Sequence, residues 1–98
     1  MGSERSVPPD FNIVVGLTGD DAVEVSVSGD LDDDSVGRLR AVLYGILRAG
    51  HHRLVVDLAR AGRVDGTARE MLARVLKRIR SQGGDMTVHW GYRAASRA

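Results

Sequence analysis

LVVDLARAGRVDGTARE, residues Leu54–Glu70, is the stretch on which the fold turns. Its aliphatic opening, with Arg53 before it and Leu58 closing it, reads as a short strand from Arg53 to Leu58. Small and charged residues from Ala59 to Gly66 then read as a loop. Beyond it Met71, Leu72, Val75, Leu76 and Ile79 recur at helical spacing, predicting a helix over Thr67–Gln82 that Gly83-Gly84 closes. A strand that passes through a short loop into a helix needs a further strand to return to. DMTVHW, Asp85–Trp90, supplies it, with Met86, Val88 and Trp90 on one face.

Upstream, GDLDDDSVGRLRAVLYGILRAG, Gly29–Gly50, repeats the same transition. Asp32 to Ser35 offer several N-caps and put negative charge at the positive end of a helix dipole. Val36, Leu39, Val42, Leu43, Ile46 and Leu47 share one helical face, Arg38, Arg40 and Arg48 lie outside it, and Gly50 ends the run. Earlier still, Phe11, Ile13, Val15 and Leu17 alternate with Asn12, Val14, Gly16 and Thr18. After a turn at Thr18–Asp21, Val23, Val25 and Val27 alternate with Glu24, Ser26 and Ser28, so the first two strands form a hairpin.

The order strand, strand, helix, strand, helix, strand requires two crossovers into parallel neighbours. Such crossovers are right-handed in nearly all proteins, so adding each new strand on the same side puts both helices on one face. A sheet covered on one side should then alternate apolar and polar, and Glu24, Ser26, Ser28, Arg53, Asp57, Thr87 and His89 supply the polar set. The expected fold is α/β: a four-stranded mixed sheet, antiparallel in its first hairpin and then parallel, with helices mainly on one face.

At 98 residues, 43% of them hydrophobic, the chain holds one modest core. Met1–Asp10 is polar, ends near a proline pair and reads as a disordered leader, leaving 11–98 as the domain. GYRAASRA at the C-terminus starts a helical pattern without finishing it. A homodimer is one way to cover the apolar surface this leaves around Met86, Val88 and Trp90. No apolar run reaches the roughly 18 residues of a membrane span, and the first ten residues lack the apolar centre of a signal peptide. With no cysteine, disulfides, thiolate catalysis and thiolate zinc sites are excluded, and a cytoplasmic location is expected. Fourteen basic against thirteen acidic residues give no support to a polyanion binder. The cations are nearly all arginine, a composition associated with GC-rich bacteria.

No nucleophile with its base, metal cage or phosphate-cradling loop stands out, so no enzyme, cofactor or metal is expected. His51 and His52 are adjacent and would point to opposite sides of a strand. Asp30, Asp32, Asp33 and Asp34 lack the spacing and closing glutamate of a calcium loop. Arg69, Arg74, Lys77, Arg78 and Arg80 make the second helix basic, but no aromatics are interleaved for base stacking, so nucleic acid is not an expected partner. Thr67 followed by Glu70 has the spacing of a capping box, with Asp65 a second possible cap. The same hydroxyl at a helix start is also where a phosphate would be stabilised, which makes Thr67 a phosphoacceptor candidate. In a parallel sheet the loops at the carboxyl ends of the strands share one edge, the usual binding rim.

Taken together, Gly29-Asp30-Leu31-Asp32 before the first helix, LVVDLARAGRVDGTA, and a helix closing in GGDMTV resemble the STAS domain of bacterial anti-sigma factor antagonists, from about Phe11 to Trp90. The resemblance implies a non-enzymatic switch of transcription that binds an anti-sigma factor of the histidine-kinase-like ATPase type. In that family the kinase phosphorylates the Ser of a D-S-[ST]-G motif and binding is lost. Here Asp65 matches the Asp, Gly66 stands where that Ser would be, Thr67 matches the second hydroxyl residue, and Ala68 replaces the Gly. Either Thr67 takes the phosphate or the protein is not switched by phosphorylation, and the capping box favours the second. The implied partner-binding set is Asp30, Asp32, Asp33, Ser35, Asp65, Gly66, Thr67 and Arg69. The alternative is the cytoplasmic STAS subunit of a lipid-transport ABC complex.

Overall fold

The computed structural model describes residues 11–19 and 21–91. The leader at 1–10 and the unfinished helical pattern at 92–98 lie outside these residues. Six elements follow one another: β1 (Asn12–Leu17), β2 (Val23–Leu31), α1 (Val36–Arg48), β3 (Arg53–Val64), α2 (Gly66–Ser81) and β4 (Asp85–His89). They form one four-stranded sheet in the order β1-β2-β3-β4. β1 and β2 are antiparallel, while β2, β3 and β4 run parallel, as the alternation and the two crossovers require.

The core lies between the sheet and the two helices. Val23, Val25, Val27 and Leu31 of β2 and Leu54, Val56 and Leu58 of β3 meet Leu39 and Leu43 of α1 and Ala68, Met71, Leu72, Val75 and Ile79 of α2. On the opposite face Glu24, Ser26, Ser28 and Asp57 are half-buried and Arg53, Thr87 and His89 exposed, so the strands are amphipathic in the sense their period-two pattern predicts.

Four expectations need correction. β3 runs on to Val64, through residues expected to form a loop, because the end of β2 also stays extended and pairs with it. Ser28 stands opposite Arg60, Gly29 opposite Ala61 and Leu31 opposite Val64, across two register shifts. Backbone pairing satisfies groups that a loop would have to leave to water, and composition does not register that. Second, α2 begins at Gly66, and its cap is Asp65, whose Oδ1 accepts from the Ala68 amide at 3.2 Å. Thr67 lies inside the first turn, so the Thr67–Glu70 capping box is not formed. Third, β4 ends at His89, leaving Trp90 beyond the strand.

The last correction concerns β1. Phe11 is buried and Ile13 half-buried, but Val15 and Leu17, of the same face, are 50% and 73% exposed. The helices cover the sheet's interior strands and reach this edge strand only at its N-terminal end.

Candidate functional site

The carboxyl ends of β2 and β3 and the starts of α1 and α2 meet on one edge of the sheet, where a net of short local contacts shapes the acidic segment between β2 and α1. The Ser35 hydroxyl donates to the Asp30 carbonyl at 2.7 Å and accepts from the Asp32 amide at 3.0 Å, also lying 3.3 Å from Asp32 Oδ1. The same Asp32 oxygen accepts from the Asp34 amide at 3.1 Å. These bonds close the DLDDDS segment into a tight turn that feeds the first helical turn, where Val36 N donates to Asp32 O at 2.8 Å. Ser35 is the N-cap of α1 by position, yet its side chain makes no capping bond to the helix. At 4% exposure Ser35 presents no surface, and its part in the site is to hold the turn that presents Asp33 and Asp34 to solvent.

Two contacts pin this turn to the end of β3. The Arg63 amide donates to Asp30 Oδ1 at 2.8 Å, and the Asp65 amide donates to the Leu31 carbonyl at 3.2 Å. The Arg63 guanidinium adds looser ion pairs, 3.9 Å from both Asp30 and Asp32. These are exposed and each is worth about 0–1 kcal/mol; the backbone amide bond to Asp30 is the directional one. Its geometry depends on Gly62, because a Cβ there would collide with Asp30 Oδ1.

Asp65 then turns the chain into α2. With that carboxylate bonded to Ala68, Gly66 and Thr67 stand exposed in the first turn. Arg69, one turn further, lies over the Trp90 ring with its guanidinium carbon 4.9 Å from the centroid, an exposed contact of about 0.5–1 kcal/mol that joins the start of α2 to the end of β4. From Thr67 a shallow groove of about 280 Å3 runs between α1 and α2, lined by Val36, Arg40, Tyr44, Met71 and Arg74.

Replacing Asp65 by Ala removes the α2 cap and should lower the unfolding free energy by about 0.5–2 kcal/mol. Chemical denaturation with an unchanged slope checks this, and an Asn replacement should recover most of the loss.

Of the residues expected from sequence, Asp30, Asp32, Asp33, Asp65, Gly66, Thr67 and Arg69 share this edge, with Ser35 beneath them. Arg63 and Gly62 belong with them without any local sequence signal, since Asp30 and Arg63 are 33 residues apart and no local pattern links them. Among the described residues no three His, Asp or Glu side chains are placed to hold a metal ion, and no helix is long and apolar enough to cross a membrane.

Comparison with known proteins places the whole domain among STAS folds. Residues 16–95 match the family described as Mlab, STAS domain. No curated protein matches significantly. Among solved structures, an anti-sigma factor antagonist from Mycobacterium paratuberculosis superposes with a TM-score of 0.73 at 21% identity, covering 86% of this chain and 70% of its own. The anti-sigma factor antagonist SpoIIAA in its unphosphorylated form gives 0.66 at 14% identity, covering 79% and 71%. Mglu gives 0.69 at 26% identity over 82% of this chain, which spans only 20% of the Mglu chain.

Proposed function

We propose that this chain, which belongs to the STAS domain family, is a regulatory protein-binding module that docks an anti-sigma factor of the histidine-kinase-like ATPase type through the edge from Asp30 to Asp34 and from Arg63 to Arg69, in the cytoplasm. One observation carries the reading. The Asp30 carboxylate bonded to the Arg63 amide at 2.8 Å locks the acidic turn to the end of β3, just before the Asp65 cap of α2, so two exposed segments form one preorganised surface. An exposed, largely polar edge held by these hydrogen bonds, with a groove beside it, suits a protein partner. A small-molecule reaction would call for a concave pocket with converging polar groups.

Binding at this edge is constitutive in our reading, because Gly66 places no hydroxyl where the related antagonists carry their phosphoacceptor. The Thr67 hydroxyl, exposed and not engaged in capping, is the alternative acceptor. The deciding experiment mixes the purified chain with the cognate anti-sigma ATPase and ATP, then reads complex formation and intact mass. A stable complex with no mass gain is expected. A mass gain of one phosphate that disappears in Thr67→Ala would overturn the constitutive reading, and absence of a complex with or without nucleotide would overturn the partner.

The position itself can be tested by restoring the hydroxyl. A Cβ at Gly66 meets nothing within 4 Å, so Gly66→Ser fits the backbone without displacement. The variant should keep wild-type stability within about 0.5 kcal/mol, as surface substitutions do, become a substrate of the ATPase, and leave the complex once phosphorylated.

A second reading, the STAS subunit of a lipid-transport ABC complex, is favoured by the same glycine, since a permanent subunit requires no phosphate release. Co-purification with a transporter ATPase and permease, and with no sigma regulator, would select it.

A further inference from the structure

We infer that β1 is a self-association edge: two copies pair antiparallel through Asn12–Leu17 across a two-fold axis at Val15, joining their sheets into one. Among the described residues the exposed large hydrophobic side chains are Val14 at 56%, Val15 at 50%, Leu17 at 73% and Trp90 at 37%. Three of these four lie on one strand, and that strand is the outermost of the sheet.

An outer strand presents unpaired N–H and C=O groups, and proteins normally blunt it with charge, proline, a bulge or short length. β1 has none of the first three. The run FNIVVGLTG, Phe11–Gly19, contains no charged residue and no proline, and its pairing with β2 is regular from Asn12 to Leu17. The opposite edge is guarded. β4 has five residues, includes Asp85 and His89, and holds Asp85 at 3.3 Å from the Arg80 guanidinium.

The partner that fits β1 is a second copy. In an isologous contact each residue near the axis meets its own kind, so a charged strand would repel itself; this strand bears no charge. A register centred on Val15 sets Val15 opposite Val15 and Ile13 opposite Leu17 on the helix-bearing face, with Val14 opposite Gly16 on the other. Every pairing on the helix-bearing face is then apolar against apolar. The same register places Phe11 opposite Gly19 of the second copy. One six-residue edge is smaller than the standard interface of roughly 1,200–2,000 Å2, so the dimer is weak and reversible.

Sedimentation of the full chain from micromolar to millimolar concentration tests this. A monomer–dimer equilibrium is expected, and Val15→Lys, which sets two ammonium groups face to face on the axis, should abolish it while circular dichroism stays unchanged. Because the chain has no cysteine, single cysteines at Val14, Val15 and Leu17 report the register by disulfide cross-linking, and Val15→Cys should link fastest. A monomer at millimolar concentration, association insensitive to Val15→Lys, oligomers beyond the dimer, or fastest linking at Val14 or Leu17 would each overturn the proposal.

Discussion

Leu43→Ala should lower the unfolding free energy by about 2–5 kcal/mol, a large share of the roughly 5–15 kcal/mol that holds a domain of this size together. Leu43 has no exposed surface and belongs to the single cluster that joins α1, α2 and the two central strands. Truncation forfeits the transfer of its methyl groups from water and leaves a cavity that helices anchored on both sides cannot collapse to fill. Urea denaturation should show a shifted midpoint with an unchanged slope. A loss below 1 kcal/mol would mean that the helices close over the gap and that the packing between them is looser than the complete burial of Leu39, Leu43, Val75 and Ile79 indicates.

Gly84→Ala should cost about 1–3 kcal/mol, the range for forcing extra atoms into a packed region. Gly84 lies between the last turn of α2 and the first residue of β4. Its amide donates to the Ile79 carbonyl at 2.9 Å, and the next amide, of Asp85, donates to the His52 carbonyl at 2.9 Å. A Cβ on Gly84 would collide with that His52 carbonyl and stand 3.0 Å from Ile79 Cγ1. Backbone on one side and a fully buried side chain on the other leave it no direction in which to yield. The strain therefore falls on the first rung of the β3–β4 ladder, and amide exchange at Asp85 and Met86 should accelerate more than exchange in β2. Uniform acceleration would show instead that the strain spreads through the whole domain. The substitution lies away from the Asp30–Arg69 edge, so partner binding measured on the folded fraction should be unaffected.

These two positions differ in how visible they are beforehand. Leu43 is legible from spacing alone: it falls on the apolar face of a helix whose period is written in Val36, Leu39, Val42, Leu43, Ile46 and Leu47, and burial follows once any sheet lies beneath. Gly84 is legible only as punctuation after a helix. That a backbone carbonyl from residue 52 occupies the space where a side chain would go is a fact of how β3 and β4 come together. The candidate site divides in the same way. Asp30, Asp32, Asp65, Gly66 and Thr67 are found by reading turns and helix starts and by likeness to a known motif. Arg63 and Gly62 escape that reading, because their partner lies at the end of another strand.

The amino-acid sequence by itself determined the order of elements, the antiparallel start and parallel continuation of the sheet, and the face that β2, β3 and β4 bury. All of these follow from short-range periodicity and from the few ways a chain can cross between parallel strands. The tertiary structure alone decided which carboxylate caps α2, how far β2 and β3 run on together, that Ser35 is scaffold beneath the rim, and that, among the described residues, half of β1 stays uncovered. Each of those depends on which backbone groups find partners across tens of residues and on how far two helices extend over the sheet. Neither quantity has a local signature, because residues distant in sequence compete for the same hydrogen bonds and the same buried surface.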